Sequence, residues 1–212
     1  MICRRQRRET MVTVPHTTSL RRLKEAARDC QRCDLFRHAT QTVFGKGPNH
    51  ALVVAVGEQP GDYEDQQGQP FVGPAGRILT RALEEAGIDA TEVYITNAVK
   101  HFKFEPRGKR RIHKKPDTGE IRACRPWLEA EVSLIKPRLI LALGATAAQT
   151  LFEKKVGINK NRGKVLDHGW AKILITIHPS AVWRVPEPDR DREYRGFVND
   201  LKVAADWLRR PS

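Results

Sequence analysis

The sequence predicts an α/β fold, a three-layer α/β/α sandwich around a central four-stranded parallel sheet, and three observations carry that expectation. Four short apolar runs recur along the 212 residues, amphipathic helical patterns separate them, and a small or polar residue closes each run. With 40 % hydrophobic residues, the chain is long enough to bury one sizeable core.

Residues 1–18 are polar and basic without apolar periodicity and are expected to form a mobile arm, leaving 19–212 as a single domain. Ser19 is placed to cap a helix whose apolar side carries Leu20, Leu23, Ala26 and Ala27, and this helix leads into Cys30-x-x-Cys33. The strands are read at Ala51 to Val56, at Val93 to Ile95 continuing through Thr96 and Asn97, at Leu139 to Leu143, and at Ile173 to Ile177. Helical patterns run from Ala75 to Ala86, Glu120 to Ile135, Ala145 to Phe152, and from about Arg192 to Arg209. Strand and helix in alternation imply parallel pairing with helices on both faces.

Charge narrows the partners. Lys and Arg outnumber Asp and Glu 38 to 25, a formal net charge of +13, so nucleic acid is the leading partner. Arg4, Arg5, Arg7 and Arg8 belong to the arm, yet discounting them still leaves a basic body. No run approaches the roughly 18 apolar residues of a membrane helix, and no apolar segment follows the basic N-terminus, which leads to the expectation of a soluble, cytoplasmic protein, by default a monomer. The four cysteines, at 3, 30, 33 and 124, are too few and too uneven for a disulfide scaffold, and Cys30-x-x-Cys33 suggests a metal or cluster site.

Gly57-Glu58-Gln59-Pro60-Gly61 follows the first strand, Asn97 ends the second, Gly144 follows the third and His178-Pro179-Ser180 the fourth. In an open α/β sheet ligands bind at the C-terminal ends of the strands, so these scattered residues can converge on one pocket. Each has a plain alternative taken singly: a tight turn, a strand-end Asn, a His in a Pro-Ser turn. Pro70-Phe71-Val72-Gly73-Pro74-Ala75-Gly76 adds an aromatic ring and flexible backbone at a helix mouth, where amides can meet a phosphate or carbonyl.

Together these motifs closely resemble the iron–sulfur uracil-DNA glycosylases, and the resemblance spans nearly everything from Leu20 to Leu208. It implies cleavage of the N-glycosidic bond of uracil in DNA, single-stranded DNA included, within a uracil-DNA glycosylase-like fold. Phe71 would stack on the flipped base beside the Gly57 turn. Asn97 would pair with uracil N3 and O4, Glu58 and Gln59 would line the sugar side, and His178, with Ser180 beside it, would bond O2 and stabilise the departing base. Tyr63 or Glu64 would exclude the thymine methyl, and Arg184 is the candidate for a groove or phosphate contact.

The family holds a [4Fe–4S] cluster on four cysteines. Cys30, Cys33 and Cys124 match three of these, while His101 stands at the fourth position in Asn97-Ala98-Val99-Lys100-His101. Histidine can ligate iron, so His101 is the first choice and Cys3 the competitor; zinc on the same set stays open by ligand type.

The stretch from Lys103 to Pro116 is longer and more basic than the family's usual connection. Its Lys109-Arg110-Arg111-Ile112-His113 is similar to the signature of the UdgX subfamily, in which the loop histidine bonds covalently to the deoxyribose once uracil has left. A solvated DNA-gripping loop is the plain alternative. Physical chemistry supports the sharper reading: a nucleophilic imidazole must be neutral, its ordinary pKa is about 6.5, and neighbouring cations disfavour the imidazolium. Arg110 and Arg111 would hold phosphates. Three functions remain open on these residues: a single-turnover glycosylase trapped through His113, a conventional multiple-turnover glycosylase, and a noncatalytic uracil-DNA binding module.

Overall fold

The structure, a computed structural model, describes residues 13–210. Cys3 and the arginines at 4, 5, 7 and 8 lie outside the described residues. In chain order the elements are α1 (Leu20–Ala27), β1 (Val53–Gly57), α2 (Asp62–Gln67), α3 (Pro74–Glu85), β2 (Val93–Asn97), β3 (Phe104–Arg107), β4 (Arg110–His113) and α4 (Thr118–Ile135). The second half continues with β5 (Leu139–Leu143), α5 (Ala145–Phe152), α6 (Ile158–Asn161), β6 (Lys164–Asp167), β7 (Lys172–Thr176), α7 (Pro179–Arg184) and α8 (Asp189–Leu208).

The main sheet has five strands in the order β2-β1-β5-β7-β6. The four expected strands are its parallel members, and β6 adds an antiparallel edge to β7. The sequence hid β6 because Val165 and Leu166 make too short an apolar run and glycines at positive φ, Gly163 and Gly169, bracket the segment. Lys164 and Asp167 at its two ends blunt the exposed edge against further pairing.

Alternation along the parallel strands sends side chains to two cores. Val53, Ala55, Leu139, Leu141 and Leu143 pack under Leu79 and Leu83 of α3 and Phe197 and Leu201 of α8. The intervening Val54, Val56, Ile140 and Ala142 pack under Leu128 and Val132 of α4 and Ala147 and Leu151 of α5. This is the three-layer sandwich, and the all-buried strands β1 and β5 read as continuous apolar runs because both their faces are covered.

A third cluster lies beyond the sheet: Leu23 and Ala27 of α1 meet Cys30, Val99, Cys124 and Trp127. Ser19 caps α1 as its sequence position implies, its hydroxyl accepting the Arg22 N–H. Helix α4 begins two residues before the expected Glu120, because Asp117 accepts the Glu120 N–H while the Glu120 carboxylate accepts the Asp117 N–H. At the far side of the sheet Asp200 on α8 accepts from Thr176 Oγ1 at 2.6 Å and from Arg162 Nε at 3.0 Å, fastening the last helix to β7. Among the described residues no helix is long and apolar enough to cross a membrane.

Phe197 is fully buried between α8 and the sheet. Phe197→Ala should lower the unfolding free energy by about 3–5 kcal/mol, read from the urea midpoint at unchanged slope.

Candidate active site

The C-terminal ends of β1, β2, β5 and β7 frame a cavity of about 480 Å³. Glu58, Phe71, Asn97, His113, His178 and Arg184, drawn from five separate segments, all face it. The expected convergence therefore holds, because parallel strands in one register end on one edge.

Gly57 is the narrowest point. A Cβ there would stand 2.4 Å from Asn97 Oδ1 and 2.7 Å from the Phe71 ring, so only glycine lets the amide and the ring meet across the strand end. Phe71 itself sits at φ 55°, and its carbonyl oxygen approaches Gly76 so closely that a Cβ there would lie 1.7 Å away. The conformation that turns the ring into the pocket is held by the glycine-rich α3 mouth. Glu64 ties the same mouth to α2, its carboxylate accepting the Gly61 N–H at 3.1 Å and the Gly73 N–H at 2.9 Å. Tyr63, by contrast, is exposed at the rim.

Asn97 is 2 % exposed and its Oδ1 is buried without a hydrogen-bond partner. A buried acceptor facing a cavity is satisfied by a ligand donor. His178 caps α7: Nδ1 accepts the Ser180 N–H at 3.2 Å and lies 2.9 Å from Ser180 Oγ. An accepting Nδ1 leaves the proton on Nε2, making the neutral ring a donor. Burial first, then Arg184 and His113, lowers its pKa to about 4, so the ring stays neutral at physiological pH. Ser180 thus braces His178 from behind while lining the pocket.

The segment expected as a loop is a β-hairpin, β3 paired antiparallel with β4. Gln59, expected on the sugar side, clamps the base of this hairpin: its Oε1 accepts the Lys103 N–H and its Nε2 donates to the Lys103 and Lys114 carbonyls, each at 3.1 Å. Arg111 is likewise turned inward rather than toward phosphate. It pairs with Asp62 at 2.5 Å and with the buried Asp65 at 2.6 Å, and lies over the Phe102 and Phe104 rings. Lys109 and Arg110 are exposed at the hairpin tip.

These anchors bring His113 to the pocket mouth with Nε2 3.4 Å from Glu58 Oε1. The Glu58 carboxylate is held from its other oxygen by Thr146 Oγ1 on α5. The His113 pKa is lowered, first by burial, with Arg184 adding to the effect and Glu58 opposing it. The neighbouring hairpin cations, to which sequence reasoning gave this effect, are not its source; burial is, and the one cation that adds to it is the guanidinium across the pocket. Sequence reasoning missed Thr146, whose one signal is its place two residues after a strand-end glycine, and the Asp62 and Asp65 anchors, which read as an ordinary acidic helix start.

Cys30, Cys33 and Cys124 are brought together at the third cluster, electrostatically within reach of one another. Cys30 Sγ accepts the Trp127 indole N–H at 3.1 Å and Cys124 Sγ the Lys100 N–H at 3.2 Å. Burial pushes the Cys124 thiol up to about 12, with Lys100 opposing the rise. His101 is buried, with Nε2 2.9 Å from Thr42 Oγ1 and Nδ1 left without a partner. A ring with one nitrogen fixed by a hydroxyl and the other unsatisfied suits a metal ligand. Among the described residues, no three His, Cys, Asp or Glu side chains converge as ligands of a single ion.

A pocket pairing an orphaned amide oxygen, an aromatic ring and a neutral imidazole donor on a parallel sheet edge has the chemistry to seat a planar, hydrogen-bonding ring. The chain belongs to the uracil DNA glycosylase superfamily, matching it over residues 44–202, a span that contains all four strand-end motifs. It is 38 % identical over 191 residues to the type-4 uracil-DNA glycosylase of Thermotoga maritima, covering 89 % of this chain and 94 % of that protein. Identity to the type-4 enzyme of Pyrobaculum aerophilum is 37 % over 176 residues, 79 % of this chain and 86 % of the other. The type-4 enzyme of Sulfurisphaera tokodaii is 37 % identical over 172 residues, 77 % and 75 % of the two chains.

Gly57→Ala drives a methyl group into Asn97 Oδ1 and the Phe71 ring. The variant should keep its circular dichroism spectrum and lose measurable calorimetric binding of free uracil.

Proposed function

We propose that this protein excises uracil from DNA and is then trapped covalently on the abasic deoxyribose through His113, as in the UdgX subfamily that its hairpin resembles. The observation that carries the proposal is the placement of His113 Nε2 against Glu58, at the mouth of the pocket that holds Phe71, Asn97 and His178.

Uracil is flipped onto Phe71; its N3–H satisfies Asn97 Oδ1 and its O4 accepts from the Asn97 amide, a pattern cytosine reverses. The glycosidic bond breaks with its electron pair going to uracil N1. The neutral His178 donates Nε2–H to O2, where the negative charge accumulates, and Glu58 faces the cationic sugar. The lone pair of His113 Nε2 then forms a bond to C1′. In the tautomer that carries its proton on Nδ1, Nε2 is the free nitrogen and it is the one at the pocket mouth. The balance is one neutral imidazole and one deoxyuridine giving an N-alkyl imidazolium and a uracil anion; loss of the Nδ1 proton to solvent and protonation of uracil neutralise both. An alkylated imidazole leaves poorly, so the enzyme stays attached.

Lys109 and Arg110 at the exposed tip and Arg184 at the mouth meet phosphates, while exposed Tyr63 and Trp183 flank the pocket as stacking surfaces suited to single-stranded DNA. Cys30, Cys33, Cys124 and His101 would hold a [4Fe–4S] cluster. Its chemistry there would be structural, a staple between the end of α1 and α4.

Incubation with a uracil-containing single-stranded oligonucleotide followed by a denaturing gel tests the proposal. A shifted band surviving heat and SDS is expected. Abasic product beyond one equivalent of enzyme would instead establish a conventional type-4 reaction, and unchanged oligonucleotide a noncatalytic binder. His113→Ser should abolish the band and retain uracil release.

Because neutral His113 is the reactive form and its pKa is depressed, crosslinking should be flat above neutrality and fall only below the ordinary pKa of 6.5. Arg184→Gln removes one cause of the depression and should move that acidic limb to higher pH in single-turnover rates.

A further inference from the structure

Lys100 is a wholly buried lysine that the reaction above does not use. Its ammonium has three donors and three acceptors around it: Thr96 Oγ1 at 2.7 Å, the Asn97 carbonyl at 2.8 Å and the Glu131 carboxylate. Glu131, on α4 and also fully buried, is saturated in turn. Its Oε1 accepts from Tyr94 OH at 2.8 Å and the Gly45 N–H at 3.0 Å, and Thr96 Oγ1 lies 3.0 Å from its Oε2. A pair this completely satisfied is rigid, whereas removing one partner would strand a buried charge.

The position matters more than the stability. The backbone N–H of Lys100 donates to Cys124 Sγ while its side chain folds back onto the carbonyl of Asn97. One residue therefore joins the thiol group on α4 to the residue whose unpartnered Oδ1 faces the base. The flanking amides are already committed, Ala98 N–H to Gly57 and Val99 N–H to Glu58. The Asn97 carbonyl is thus a remaining point through which the rotation of that peptide is fixed.

We propose that Lys100, held by Glu131, is a positioning residue that sets the Asn97 carboxamide for uracil and makes its orientation depend on the packing around Cys124. The inference rests on the reading of the pocket as a uracil site. It concerns residues that touch neither base nor sugar.

The test is a double-mutant cycle on single-turnover uracil release and on the preference for uracil over cytosine, in the full chain. Lys100→Met with Glu131→Gln removes both charges together, and Asn97→Ala supplies the second axis. If Lys100 acts through Asn97, the paired change lowers release about tenfold in the Asn97 protein and hardly at all in Asn97→Ala, since coupled neighbours are non-additive. It should also narrow the uracil preference while the far-ultraviolet circular dichroism spectrum persists. An equal loss in both backgrounds, or none in either, overturns the proposal. Should the paired variant fail to fold, Glu131→Asp, which keeps both charges and retracts the carboxylate, enters the same cycle with the same two outcomes. Absence of uracil release by the unaltered protein would instead remove the pocket reading itself.

Discussion

Strands that run the same way must end on the same side, and the site depends on that constraint. β1, β2, β5 and β7 are parallel and locked in register by cores on both faces, so the residue closing each strand has one place to go. Glu58, Asn97, the Gly144 turn and His178 are far apart in sequence and adjacent in space for this reason. Their precision comes from the same source, because a sheet buried on both faces deforms little when a ligand enters.

On this rigid edge two kinds of control operate. Inside, neutral donors and unsatisfied acceptors are fixed by backbone contacts: Ser180 holds His178, and Lys100 holds the Asn97 peptide. Outside, the hairpin is fixed by side chains. Gln59 closes its base, and Arg111, inserted between aromatic rings and two aspartates, sets its tilt. Glu58 belongs to both, since Thr146 steadies one oxygen and His113 faces the other.

Much of this was legible in the sequence because it is written in local pattern. Continuous apolar runs named the parallel strands, and the residues that ended them named the pocket. What stayed hidden depends on pairing across long separations. β6 carries too little apolar signal to stand out until β7 is beside it. Arg111 looked like one more phosphate-binding cation until Asp62 and Asp65, 49 and 46 residues away, were placed against it. The depression of the His113 pKa was anticipated, but its main cause is enclosure, which no run of neighbouring letters displays. Lys100 gave no signal at all, because the partner that makes its burial tolerable lies 31 residues further on.

The hairpin adds nothing to the sheet's two cores. Its two feet, at Lys103 and Lys114, are joined by a backbone hydrogen bond of 2.9 Å and both held by the single amide of Gln59. A segment whose ends already touch can be shortened or exchanged at little entropic cost. On the proposed reaction, the element that would keep the protein on its product is therefore a detachable part. Chains sharing the same base pocket could acquire or lose self-capture through one local insertion, leaving the rest of the architecture as it was.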